Sequence, residues 1–360
     1  MKKVILTGLV LVCFIASLAA GCAPKEQAAQ STPKTITVID ALEREVTIKQ
    51  PVERIVTLGG YDAEVICLLG EGDRIVGISD WMPKQDYYKI ILPQLAEKPV
   101  VGSGQALNYE KVIELKPDLV ICWHYHAAQI DEKLPDSIAV VALDLYDPRT
   151  FVEEMKKLAY ILGKEKEAEK YLRDFYDKYT NLVESRTKAL SENQRPRVYW
   201  ERLKPYETYG SKAYLTSLIA MAGGRNIFTD AEFDLTVVSP EKVVEKNPEI
   251  IVRYTSSTDP EVGFGTDRPD KAKMMREELL SRPELATTEA AKNKRVYLYA
   301  IELNLGTLQP VGLLYAAKIL QPDLFKDIDP TAALHELLRE YFGSQFDPTK
   351  HGVLVYPPLK

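Results

Sequence analysis

Two stretches of this chain match each other in pattern: Asn108–Ile121 (NYEKVIELKPDLVI) and Ser239–Val252 (SPEKVVEKNPEIIV). Each opens on a residue suited to cap a helix, Asn108 or Ser239. Pro240 stands at a first helical position, where its missing N–H costs nothing. Pro117 and Pro248 stop each helix, and an acidic residue leads into an aliphatic run suited to a strand buried on both faces. A helix–Pro–strand unit used twice points to a pseudo-duplicated body. Glu110 and Glu241 fall at the same place in the two units, in the first helical turn. There the helix dipole stabilises a carboxylate by roughly 0.3–1 kcal/mol. The functional alternative is that matched surface carboxylates dock a two-fold partner.

The remaining pattern is α/β. Strands are predicted at 53–58, 74–78, 98–102, 118–122 and 138–145, then at 196–200, 249–253 and 295–300. Gly59-Gly60 lets the chain turn tightly into a helix over 62–69. Between the two sets, Ala168, Tyr171, Leu172, Phe175, Tyr179, Leu182 and Val183 keep helical spacing. At 1.5 Å per residue this predicts a rod of roughly 30–35 Å. The expected fold is two Rossmann-like lobes joined by a long rigid helix, rocking slightly rather than clapping shut. Residues 36–147 form the first lobe, 148–190 the connecting helices and 191–330 the second lobe. Residues 331–360 form a C-terminal extension without an assigned role.

Lys2-Lys3, the apolar run Val4–Leu18 and the small residues before Cys22 have the make-up of an export signal over 1–21. The run is shorter than the ~20 residues of a membrane span. Leu18–Cys22 (LAAGC) resembles a bacterial lipobox, with Ala19 replacing the usual large aliphatic residue. It implies a diacylated Cys22 anchored to the membrane, with 22–35 as a flexible tether. Cys67 and Cys122 lie in apolar runs and read as buried small hydrophobes, with a disulfide between them open in an exported chain. The formal charge of −6 argues against nucleic acid.

Arg54–Leu58, Glu64, Leu68–Gly70 and Asp73–Gly77, together with the two matched units, resemble the periplasmic binding proteins of iron–siderophore, haem and cobalamin ABC importers. The resemblance covers most of the chain after about residue 37. It implies a monomeric solute-binding protein that serves a permease dimer with ATPase subunits. It also implies that Glu110 and Glu241 pair with permease arginines. The C-terminal part after Phe325 exceeds the shorter family members.

A two-lobed α/β protein binds ligand in the crevice facing the carboxyl ends of its strands, so the loops after strands are the candidates. From the first lobe these give Tyr61, Trp81, Trp123, His124 and Tyr125. From the second they give Trp200, Arg202, Tyr209, Arg253 and Glu302. Aromatic walls with Arg suit a bulky, partly anionic metal chelate, a ferric siderophore, haem or corrinoid, through stacking and charge-assisted hydrogen bonds. An oxyanion such as molybdate or tungstate is the alternative within the same fold. His124 and His126 would face one side of an extended segment and permit a metal contact. With four histidines in the chain, two of them distal, neither a bare three-His metal site nor a resident cofactor is expected. No GxSxG, Walker, HExxH or GxGxxG motif stands in a strand–turn–helix setting, so an enzyme is not expected. A lipid-anchored hydrolase with a chance acid pair is the remaining rival.

Overall fold

The short aliphatic runs build two separate sheets in the computed structural model, which describes residues 34–256 and 262–359. The expected export signal, Cys22 and nearly all of the tether lie outside the described residues. Strands β1 (Thr35–Ile39) and β2 (Glu45–Lys49) form an antiparallel pair ahead of the first lobe. The first lobe has a wholly parallel sheet of β3 (Ile55–Thr57), β4 (Ile75–Ile78), β5 (Leu119–Cys122) and β6 (Ala139–Ala142), in the order β4-β3-β5-β6. The strand expected over 98–102 is reduced to a bridge between Val100 and Ile78.

In the second lobe the central strands are β7 (Arg197–Glu201), β11 (Ile250–Thr255) and β12 (Val296–Ala300), all parallel. Short strands β8 (Glu207–Tyr209), β9 (Arg225–Asn226) and β10 (Leu235–Val237) extend one side. On the other side β13 (Val355–Tyr356) pairs antiparallel with β12. The C-terminal segment therefore closes a sheet edge, which would otherwise offer unpaired N–H and C=O groups.

The matched units are equivalent in space. In the first, Asn108 Oδ1 accepts from the Lys111 N–H at 3.0 Å and caps helix Tyr109–Glu114. The second helix, Pro240–Lys246, starts on proline, and the Ser239 side chain makes no backbone cap, contrary to expectation. Both units leave the helix through a left-handed residue before the proline, Lys116 (φ 47°) and Asn247 (φ 43°). A residue before proline is poorly tolerated in the α region, which accounts for the stop. The acids that follow have parallel tasks: Asp118 Oδ2 accepts from the Arg54 N–H at 2.9 Å and Glu249 Oε2 from the Arg197 N–H at 2.9 Å. Ile55 pairs with Leu119 as Val198 pairs with Ile250. The repeat therefore reaches into a second strand of each sheet.

Helical segments Glu165–Tyr171, Leu172–Tyr176 and Asp177–Thr187 follow without a break, the middle one π-helical. Together they make a rod of about 35 Å. The rod is not free-standing. It packs beside helix Gln309–Leu320, every residue of which is buried, and Tyr171 OH donates to the Thr307 carbonyl at 2.8 Å. One apolar cluster runs from Ile55 and Val65 through Phe175 and Leu314 to Trp200 and Tyr299. The outer faces of the two sheets keep separate clusters, around Val120 and around Leu298. Each sheet thus has a private outer core and a shared inner one.

Candidate ligand-binding site

The parallel strands of the first lobe all end toward one crevice, and their loops supply its wall. Leu58 and Tyr61 follow β3, Trp81 follows β4 and Trp123 follows β5 directly. With Ser103, Gly104, His126 and Tyr146 they enclose a cavity of about 640 Å³. A second cavity of about 540 Å³ continues into the other lobe, bounded by Arg202, Tyr209, Tyr214 and Asp234. Trp123 and Tyr146 line both cavities, so the two form one cleft across the lobes.

Rings join the walls. The Trp81 and Trp123 centroids lie 6.4 Å apart. Tyr61 is 6.0 Å from Tyr146, which in turn is 5.9 Å from Tyr214. Tyr125 is 78% exposed at the mouth, its ring centroid 3.9 Å from that of His124. Gly59 and Gly60 are required by space rather than by a turn. A Cβ on Gly59 would lie 2.9 Å from Trp123 Nε1, and one on Gly60 would lie 2.1 Å from Tyr88 OH.

Among the expected residues, Tyr61, Trp81, Trp123, His124, Tyr125, Arg202 and Tyr209 meet at this cleft. Three others are placed elsewhere. Trp200 is 1% exposed and packs between Tyr254 and Tyr299 at 5.3 and 5.2 Å. Arg253 pairs with the fully buried Glu201 and donates to the Leu203 carbonyl at 3.0 Å. Glu302 is buried, and its charge helps hold the Tyr61 hydroxyl protonated, second to burial and Glu64. The two histidines also differ from expectation. His124 opens helix His124–Lys133, so residues two apart diverge by about 200° instead of sharing a side. His126 packs on the Gly104 loop in the first cavity and His124 lines the second. Among the described residues, no group of three His, Cys, Asp or Glu side chains could hold a metal ion. Cys67 and Cys122 are free thiols, both pushed up to about 12 by burial.

Tyr146, Tyr214, Asp144, Asp147, Arg149 and Asp234 complete the cleft and were not anticipated. Arg149 is held against Asp147, its Nε donating to the two carboxylate oxygens at 2.9 and 3.0 Å. Arg202 Nη1 donates to Glu207 at 3.2 Å. Burial, with Asp147 beside it, raises the Asp144 carboxyl above its ordinary value.

Behind the first-lobe wall, helix Gly60–Leu68 carries two buried acids, Asp62 and Glu64. Glu64 ties the lobes together, its Oε2 accepting from Thr307 N at 3.3 Å and Thr307 Oγ1 at 3.0 Å. Burial raises both carboxyls to about 7, against ordinary values of 3.8 for Asp62 and 4.5 for Glu64. Since folding raises these values, the protonated forms favour the native state. That contribution is complete below the unfolded values and is lost as pH climbs through about 7. The melting temperature is therefore expected to drop by several degrees from about pH 5 to about pH 8. In Glu64→Gln the drop should be shallower; an unchanged slope would show that Glu64 does not titrate in this range.

Comparison with known proteins agrees with this geometry. The family description "Periplasmic binding protein" matches residues 55–302. A vitamin B12-binding protein of Vibrio cholerae is 30% identical over 207 residues, covering 56% of this chain and 70% of that protein. The molybdate-binding protein MolA of Haemophilus influenzae is 23% identical, covering 86% of this chain and 92% of its own. The solved TroA-like periplasmic binding protein FepB of Veillonella parvula superposes with a TM-score of 0.74 at 23% identity, over 89% of this chain and 99% of that one. Doubled lobes, a bracing rod and a cleft at the strand ends, joined to a profile match spanning most of the chain, make this protein a member of the periplasmic binding protein family.

Proposed function

We propose that the protein is the lipid-anchored, substrate-binding component of an ABC importer that captures a bulky metal chelate and passes it to a permease dimer. The observation that carries the reading is the aromatic cleft between the lobes, two joined cavities of about 640 and 540 Å³. Trp81, Trp123 and Tyr146 offer flat faces to a macrocycle or a catechol-type chelate. Relatives support the setting: beside the vitamin B12-binding protein stands an ABC transporter substrate-binding lipoprotein of Bacillus subtilis, 27% identical over 225 residues. Lipid on Cys22 would hold the body near the membrane, and Glu110 and Glu241, both exposed, would meet basic pockets of the permease.

The likeness to MolA supports an oxyanion as a second reading. A tetrahedral oxyanion would fill only a small part of either cavity, and its binding usually draws on N–H groups and cations free to face it. Here Arg149 is engaged by Asp147. The chelate is the better fit.

Intrinsic fluorescence tests the reading, because Trp81 and Trp123 line the cleft and Trp200 lies apart in the core. Cyanocobalamin, haemin and ferric siderophores are titrated separately. At least one is expected to quench with saturation. Trp123→Ala should weaken that binding by about tenfold or more, the usual loss for a central aromatic anchor. Saturable turnover of a substrate, or no quenching by any chelate, would defeat the proposal.

A further inference from the structure

The inference that follows rests on the chelate-binding reading and concerns which chelates the cleft admits. We propose that it selects by charge, accepting a bulky, amide-rich chelate with no net negative charge and turning anionic chelates away. Unpaired Asp144 and Asp234 set this preference.

Charge is unevenly spread along the walls. The first cavity carries no lysine, arginine, aspartate or glutamate; its polar groups are Ser103, His126 and the tyrosine hydroxyls. The second holds Asp144, Asp147 and Asp234 against Arg149 and Arg202. Both arginines are already engaged. Arg149 grips Asp147 and donates to the Lys212 carbonyl at 3.1 Å, and Arg202 donates to Glu207 at 3.2 Å. Asp144 and Asp234 form no ion pair among the described residues. His124 and Arg149 stand close enough to Asp144 to interact with it electrostatically, and Arg149 to Asp234, but neither aspartate has an ion pair of its own among the described residues.

A ligand entering this cleft therefore meets two carboxylates without ion-pair partners, on a wall where three aspartates face two arginines that are already bonded, in a crevice walled by rings where like charges repel more strongly than in open water. A propionate, catecholate or oxyanion would bring its charge to that face and have to compete with Asp147 and Glu207 for the two arginines. Primary amides behave oppositely, because their N–H groups donate to carboxylates in charge-assisted bonds. The rings of Trp123 and Tyr146 then stack on the chelate plane whatever its charge. Size and aromaticity admit the whole class of chelates; the two aspartates sort within it.

The test titrates the protein with cyanocobalamin, which is amide-rich and carries no net charge, and with haemin, a ferric tricatecholate and molybdate, at low salt. The corrinoid is expected to bind at least tenfold tighter than any anion. In Asp144→Asn/Asp234→Asn that ratio should shrink about tenfold, through stronger binding of the anions. Circular dichroism establishes that the variant is folded, and the wild type supplies a second readout. If repulsion sets the preference, raising salt from about 20 to 500 mM should tighten haemin binding while leaving cyanocobalamin nearly unchanged. An anionic chelate that binds as tightly as the corrinoid would overturn charge selection and leave the chelate-binding reading standing. A preference that neither the double variant nor salt alters would also overturn it. If none of the four probes binds, both readings fall together.

Discussion

A Glu110→Lys/Glu241→Lys protein is expected to hold its ligand with unchanged affinity and to support no uptake. Both carboxylates are exposed in the first turn of matched helices, away from the cleft lining. Hydrogen bonds from its own backbone and from the Ser239 hydroxyl hold the Glu241 carboxyl below its ordinary value, so it is charged throughout the physiological range. Reversal sets a cation at the positive end of each helix dipole, so a small loss of stability is expected while the fold and the cleft are retained. At a docking surface the same reversal sets like charges opposite one another, which costs several kcal/mol per contact and slows encounter as well. Single reversals should reduce uptake in part, since the partner would retain one good contact. Uptake by the double variant at the wild-type rate would remove docking from these glutamates and leave helix stabilisation as their whole role.

Replacing Glu201 with Gln should cost about 3–5 kcal/mol of stability, read from chemical denaturation. The carboxylate is wholly buried and pairs with two arginines. Arg282 Nη1 donates to its oxygens at 3.0 and 2.8 Å, and Arg253 approaches from the other side. Tyr206 N donates to Oε2 at 2.8 Å and Tyr199 OH at 3.2 Å. Gln keeps the shape and part of the hydrogen bonding but leaves two guanidinium groups, each less than 15% exposed, without a counter-charge. Because this network lies apart from the cleft lining, ligand affinity of the folded variant should not change. A loss below about 1 kcal/mol would mean that water or rearrangement satisfies the arginines.

The same network shows why part of the site was illegible in sequence. From sequence, Arg253 could meet a ligand carboxylate or a neighbouring acid such as Glu201, with ligand contact slightly favoured; strand pairing sets it opposite Glu201 of β7. That partner is fixed by register, and register is not a local property. Trp200 was misplaced for a related reason: as a residue of β7 it faces the inner core, while Trp123, one residue beyond β5, has left the sheet and reaches the cleft. The repeat was legible because cap, proline and aliphatic run all lie within fourteen residues. Strands β1 and β2 carried a readable signal in the alternation of Thr35–Ile39 and Glu45–Lys49 around a short turn. Tyr214 and Asp234 had no such signal: they lie outside the loops that follow the predicted strands, and only packing of one lobe on the other brings them to the common wall. Tyr146 directly follows the strand predicted at 138–145, so the rule that gave the other candidates reached it as well. The histidine pair shows the converse error, in which an extended reading of 123–126 gave way to a helix that begins at His124.

The apolar cluster shared by both lobes has a consequence for delivery. Lobes welded through one interior have no cheap swing available, so little change in the form of the cleft is expected when it fills. Binding then demands little ordering, which favours fast capture from dilute solution. Emptying is where the cost falls: the cargo will not be expelled by a spontaneous yawn of its carrier. The force that prises it loose has to come from the membrane machinery, and ultimately from nucleotide hydrolysis on the far side.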